Sequence, residues 1–200
     1  MNYFSYRDEN ELLNIIIGLT LPRTGFPSPF YDLGYKVMAI EQSFVNGKGK
    51  TVKPDIIIAN QDKSILVLFE AKSCKNAELE QLDNYYNIKS KDLINNAGFN
   101  RELFDKGFNV SYFCYKLTFI DEEKVLACEN LIKSIEDKYD YPVIMFNKED
   151  GFISLILNEY IDDELNTLFN GILEIPTDKI PRLLKFDQHT TKQEIKNEYI

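Results

Sequence analysis

Apolar residues recur at helical spacing near the start of the chain. Leu12, Leu13, Ile16 and Leu19 share one stripe behind the acids Asp8, Glu9 and Glu11, which predicts a helix over 7–19. Pro22, Gly25, Pro27 and Pro29 then break regular structure, so residues 20–34 are expected to form a long loop. Tyr35 to Val45 reads as a strand, followed by the hairpin chemistry of Asn46-Gly47-Lys48-Gly49-Lys50. A second strand runs from Lys53 to Ala59, with Pro54 at its mouth, where a missing N–H costs least. After a turn over 60–63, a third strand is expected from Ser64 to Ala71. Its run Ile65-Leu66-Val67-Leu68-Phe69 is apolar on both faces, the mark of a central strand covered by helices.

Beyond it the pattern predicts a helix over 76–95, a strand over 110–115 and a helix over 122–138. A strand pair over 142–146 and 152–157 follows, closed by Glu149-Asp150-Gly151, and then a helix over 162–170. The order helix, three-strand meander, helix, strand (αβββαβ) implies an α/β domain, a mixed sheet flanked by helices. From Glu174 the periodicity weakens. The expected organisation is one domain over 1–173 and an extension over 174–200 with no assigned role.

Charge changes the picture of partners. The net charge is −9, but residues 1–110 hold 13 Lys/Arg against 14 Asp/Glu, while residues 111–200 hold 10 against 18. The first half can approach a polyanion, with modest and salt-sensitive affinity. The acidic second half suits a protein partner better than direct contact with nucleic acid. No stretch approaches eighteen apolar residues, and the first residues lack a basic segment followed by an apolar run, so a cytoplasmic protein without a membrane span is expected. Cys74, Cys114 and Cys128 have neither metal-ligand spacing nor an even count, which fits a reduced protein in which Cys114 and Cys128 are ordinary small core residues. His189 has no serine or cysteine context for a triad, and no GxxxxGK[ST] loop is present.

The chemistry gathers on the second and third strands. Side chains alternate along a strand, so Leu66, Leu68, Glu70 and Lys72 share one side. Two opposite charges at the end of a greasy strand are costly unless paired or metal-bound. Ala71 between them is small and leaves its carbonyl free as a further oxygen ligand. A turn centred between Asp62 and Lys63 sets residue 55 opposite residue 70, bringing Asp55 to Glu70 with Lys72 beside them. Hard cations such as Mg²⁺ take a few carboxylate oxygens plus water, and Lys72 is placed to orient that water and to offset charge developing on a phosphate. Lys48, Lys50, Lys53 and Lys75 cluster near these residues as candidate phosphate contacts. Arg23, Phe26, Phe30 and Tyr31 in the loop are candidates either for nucleic-acid contact or for packing on the domain.

Pro54-Asp55, fourteen residues, then Glu70-Ala71-Lys72 resembles the signature of the PD-(D/E)XK nuclease superfamily. The resemblance spans roughly residues 7–115. It implies a restriction-endonuclease-like core and Mg²⁺-dependent hydrolysis of DNA phosphodiesters, with Mn²⁺ able to substitute. It places the chain in restriction, anti-phage defence or DNA repair, and it is compatible with a homodimer. Metal would be held by Asp55, Glu70 and the Ala71 carbonyl. An acid on the first helix completes the site in many members of that superfamily, a role the resemblance gives to Glu9, with Glu11 and Glu41 as rivals. Glu9 and Glu11 lie about 200° apart on a helix, so only one can face the site. Gln81 and Tyr85, at i and i+4, resemble the Q-x-x-x-Y element that supports the active site in exonuclease-type branches. The competing readings are a catalytically silent nuclease-like fold serving as a binding module, and an RNA-directed nuclease.

Overall fold

A computed structural model describes residues 5–73, 79–116 and 122–183. Its centre is the strand that the sequence marks as apolar on both faces, β5 (Ile65–Lys72), buried at all but its last residue. On one side β5 pairs antiparallel with the fully buried β4 (Ile56–Asn60), in the register Ile56↔Phe69 to Asn60↔Ile65. On the other it pairs in parallel with β6 (Gly107–Tyr115), from Ile65↔Gly107 to Lys72↔Cys114. The full seven-stranded sheet runs β1 (Tyr35–Ile40), β4, β5, β6, β7 (Val143–Asn147), β8 (Phe152–Leu157) and β9 (Leu173–Glu174). β6 and β7 are also parallel, whereas the outer pairs are antiparallel. The architecture is therefore mixed α/β, as expected.

Both faces of the sheet are covered. On one, α1 (Ser5–Leu19), α2 (Pro29–Asp32) and α6 (Asp163–Asn170) bury Leu12, Ile16, Phe30, Leu165 and Phe169 against Ile58, Val67, Phe69 and Phe113. On the other, α3 (Leu79–Tyr86), α4 (Ser90–Asn95) and α5 (Glu122–Lys138) bury Leu82, Tyr85, Leu93, Leu131 and Ile135 against Leu66, Leu68, Tyr112 and Val143. The helices of both parallel crossovers lie on this second face. No described helix is long and apolar enough to cross a membrane.

Four local departures from the sequence reading have identifiable causes. The strand expected over 35–45 stops at Ile40, because Glu41 adopts a left-handed conformation (φ 52°) and donates its N–H to the Asp55 carbonyl at 2.9 Å. β1 thus pairs directly with β4, and the chain between them forms a separate small hairpin, β2 (Phe44–Val45) with β3 (Thr51–Val52). Its turn is sealed by Asn46, whose Oδ1 accepts the N–H groups of Lys48 and Lys50. The helix expected over 76–95 is two helices, and residues 74–78 lie outside the described ones. The break contains no Gly or Pro: Asn87 donates its side-chain amide back to the Asp83 carbonyl, and Asp92 caps the second helix by accepting the Lys89 N–H at 2.9 Å.

The loop over 20–34 contains α2, which carries Phe30 into the core. The tail also packs. The expected boundary after residue 173 falls inside β9, Ile175 is buried, and the Leu183 N–H donates to Asn14 at 2.8 Å. Gly18 permits this closeness, since a Cβ there would stand 2.7 Å from the Phe26 ring and 2.8 Å from Pro181. Cys114 and Cys128 are buried, while Cys74, Lys75 and His189 lie outside the described residues.

Candidate active site

The carboxyl end of β5 projects past the first residue of β4, and the charged residues meet there. Asp55 immediately precedes β4. Its N–H donates to the Phe69 carbonyl at 3.0 Å, and its Oδ2 accepts the Ala71 N–H at 2.8 Å. Asp55 and Glu70 are thereby brought together as the expected register requires. The N–H and carbonyl of a strand residue turn to the same edge, so the Ala71 carbonyl also faces the Asp55 side, beyond the last pair of β4 and β5.

Glu70 is only 5% exposed, and every oxygen it has is engaged. Oε1 accepts from Gln81 Nε2 at 2.8 Å and meets Lys72 Nζ at 2.9 Å. Oε2 accepts from the Tyr85 hydroxyl at 2.6 Å. One turn of α3 presents Gln81 and Tyr85 on the same face, and both reach one carboxylate. Lys72, the last residue of β5, returns to Glu70 because side chains two apart on a strand share a side.

The first helix contributes Glu9. Its Oε1 accepts the Ser73 N–H at 3.1 Å and the Ser73 Oγ–H at 3.0 Å, which anchors α1 at the end of β5. Glu11 is committed elsewhere, to the Tyr115 hydroxyl at 2.9 Å and to Lys148. Glu41 pairs with Lys53 at 3.0 Å on the surface. Of the three rival acids, Glu9 is the one whose charge acts on both Asp55 and Lys72.

The electrostatics follow from burial and like charge. Burial pushes the Asp55 carboxyl up to about 8, and the charge of Glu70 adds to the effect. The Ala71 N–H and Lys72 oppose it, and Glu9 raises it further. Burial alone would lower Lys72, but Glu70, Asp55 and Glu9 outweigh it and hold the ammonium above its ordinary range. Burial, together with Glu70, holds the Tyr85 phenol firmly protonated, which fits its role as a donor.

The other sequence candidates separate. Lys50 pairs with Glu80 at 3.5 Å and Lys53 with Glu41, while Lys48 at the hairpin tip takes part in no ion pair among the described residues. Phe26 and Phe30 are core residues, whereas Arg23 and Tyr31 are exposed. Two residues were not singled out from the sequence. Ser73, which holds Glu9, directly follows the motif and could have been read from it. Tyr112, paired with Glu70 across β5 and β6, depends on a parallel register that no short-range signal encodes.

No group of three or more His, Cys, Asp or Glu residues is arranged as a ready metal cage among the described residues. The donor set nevertheless fits a hard divalent cation. Asp55 and Glu70 lie side by side, and burial first, then the charge of Glu70, pushes Asp55 towards its neutral form.

Among known proteins, the chain is 28% identical over 186 residues to the uncharacterized protein MJECL32 of Methanocaldococcus jannaschii, covering 84% of this chain and 39% of that protein. It therefore spans well under half the length of that relative. No solved structure matches it. The match to the MJECL32 domain covers residues 8–184, including every residue that builds the site, and the chain belongs to the MJECL32 domain family.

Proposed function

We propose that the chain is a metal-dependent nuclease with a restriction-endonuclease-like core, hydrolysing DNA phosphodiesters in restriction, anti-phage defence or repair. The observation that carries this reading is the convergence of Asp55, Glu70 and Lys72 at the carboxyl end of β5, with Gln81 and Tyr85 both fixed on Glu70. Ligand sites in α/β sheets commonly lie outside the carboxyl ends of strands.

Asp55, Glu70 and the Ala71 carbonyl would hold Mg²⁺ or Mn²⁺, with Glu9 at the margin of the shell. The bound cation would supply Lewis acidity and a more acidic water. Gln81 and Tyr85 orient the Glu70 carboxylate and keep it from rotating. Lys72, which pairs with Glu70, would orient the attacking water and offset charge building on the phosphate. Glu9 holds the end of β5 through Ser73, so the ammonium stays at the height of the two acids.

A second reading has an observation of its own. Lys72 already neutralises Glu70 without a metal, an arrangement that also suits a silent fold acting as a binding module. Cleavage assays separate the two. Plasmid, linear duplex, single-stranded DNA and RNA are incubated with Mg²⁺, Mn²⁺ or EDTA. Metal-dependent cleavage is expected on DNA, and Lys72→Ala should lower it by about 10²-fold or more while the chain still folds, as circular dichroism would show. Cleavage of RNA alone would move the substrate class. Equal rates in wild type and Lys72→Ala would remove the mechanism, and no cleavage of any substrate would leave the binding module.

A further inference from the structure

On the same face of the sheet as the site, but towards the amino ends of β6 and β7, lies a cavity of about 440 Å³. That volume is within the range of small-molecule sites. Its walls are partly aromatic (Tyr85, Tyr86, Phe108 and Tyr141) and partly aliphatic, and two exposed carboxylates, Asp140 and Glu159, also line it. Neither carboxylate takes part in an ion pair, and no Lys, Arg or His lines the cavity among the described residues. Asn158 is pinned by its amide to the carbonyls of Tyr139 (3.3 Å) and Tyr141 (3.0 Å), which leaves its own side-chain carbonyl as a third oxygen acceptor.

The aromatic contacts extend inward from the cavity. Tyr139 stacks on Tyr141 at 5.1 Å, Tyr141 stacks on Tyr112 at 5.7 Å, and Tyr112 meets Tyr85 edge-on at 6.4 Å. Tyr112 is 1% exposed, and its hydroxyl has no hydrogen-bond partner among the described residues.

We propose that this cavity binds an organic cation, a guanidinium or ammonium group on a short aliphatic stem. Aromatic rings attract a cation electrostatically, here those other than Tyr141, on which Tyr139 and Tyr112 already stack, and unpaired carboxylates complete its recognition. An anion or a phosphate would meet two negative charges there with no cationic side chain among the described lining residues to offset them. The group can arrive on a free small molecule or on an arginine side chain of a peptide; the chemistry of recognition is the same. The proposal is independent of nuclease activity, since the cavity residues other than Tyr85 do not touch the carboxylate site.

Calorimetric titration of the metal-free chain tests it, with agmatine as the free cation and N-acetyl-arginine amide as the peptide-like one. N-acetyl-citrulline amide, equal in shape but neutral, should bind at least about tenfold more weakly than the arginine amide. The double variant Asp140→Asn/Glu159→Gln should lose about tenfold for both cations, and Tyr86→Ala, 57% exposed and so tolerable to the fold, several-fold. Preference for agmatine or for the arginine amide identifies the source, and either result upholds the site. Equal binding of the citrulline and arginine amides, or no binding of either cation, would overturn it. So would an equal loss in Asp32→Asn/Glu174→Gln, acids on elements that do not line the cavity, because general attraction to an acidic protein would then suffice.

Discussion

Glu9, Asp55 and Glu70 stand near one ammonium, Lys72, at the end of β5, and burial, reinforced by the charge of Glu70, raises the carboxyl of Asp55. Its carboxyl lies at about 8 in the fold against 3.8 for the ordinary group. A raised carboxylate means that the folded chain holds a proton the unfolded chain has released. Between about pH 4 and pH 8 stability therefore falls as pH rises, by an amount on the order of a few kcal/mol across the window. Asp55→Asn should flatten this dependence and stabilise the metal-free chain at pH 8, as read from urea midpoints at pH 5 and pH 8. An unchanged slope would mean that Asp55 titrates in its ordinary range. On the nuclease reading, removing one donor from Glu70 is a separate matter. Tyr85→Phe keeps the ring in its pocket but leaves Oε2 without its 2.6 Å partner, and cleavage should fall about 10- to 100-fold, as is usual for groups that orient a metal ligand. Retention of full activity would make Tyr85 a packing residue.

At the scale of elements, periodicity and turn chemistry reached the strands that matter but not every join between elements. The apolar run of β5 identified the centre of the sheet, and the turn after Asn60 fixed the register that joins Asp55 to Glu70. Those two facts made the carboxylate pair legible. The break between α3 and α4 was hidden because side-chain caps at Asn87 and Asp92 create it, in place of Gly or Pro. The diversion after β1 was hidden because a glutamate adopts the left-handed conformation. α2 was hidden for another reason: Pro27 and Pro29 read as loop, yet Pro29 starts a single helical turn whose purpose is tertiary. That turn drives Phe30 between Tyr35, Phe69 and Phe169, with ring centroids 6.0, 6.2 and 5.9 Å away. Phe30→Ala should cost about 3–5 kcal/mol in chemical denaturation, while Tyr31→Ala, on the exposed side of the same turn, should stay within about 0.5 kcal/mol. Comparable losses for the two would mean that α2 does not pin the core as described.

Over the whole molecule, charge sets how the proposed substrate can be held. A chain of net charge −9 cannot attract DNA over long distances, so contact must depend on a few local cations near the site. The β2–β3 hairpin is the element that brings them. Asn46 ties it to the Asn84 carbonyl of α3 at 2.7 Å, and Asn96 ties it to α4 through the Val45 carbonyl at 2.6 Å, so its tip is fixed relative to Gln81 and Tyr85. Lys50 and Lys53 are already paired with acids, which leaves Lys48 as the hairpin cation without an ion pair among the described residues. Each phosphate contact contributes about 0.9 to the slope of log affinity against log salt. DNA binding by the Lys72→Ala chain, which separates binding from cleavage, should therefore show a shallow slope, and adding Lys48→Ala should reduce it by about one unit while weakening all sequences alike. An unchanged slope would place the path of the nucleic acid away from the hairpin, and the acidic surface would then have to be bridged by a partner that carries its own positive charge.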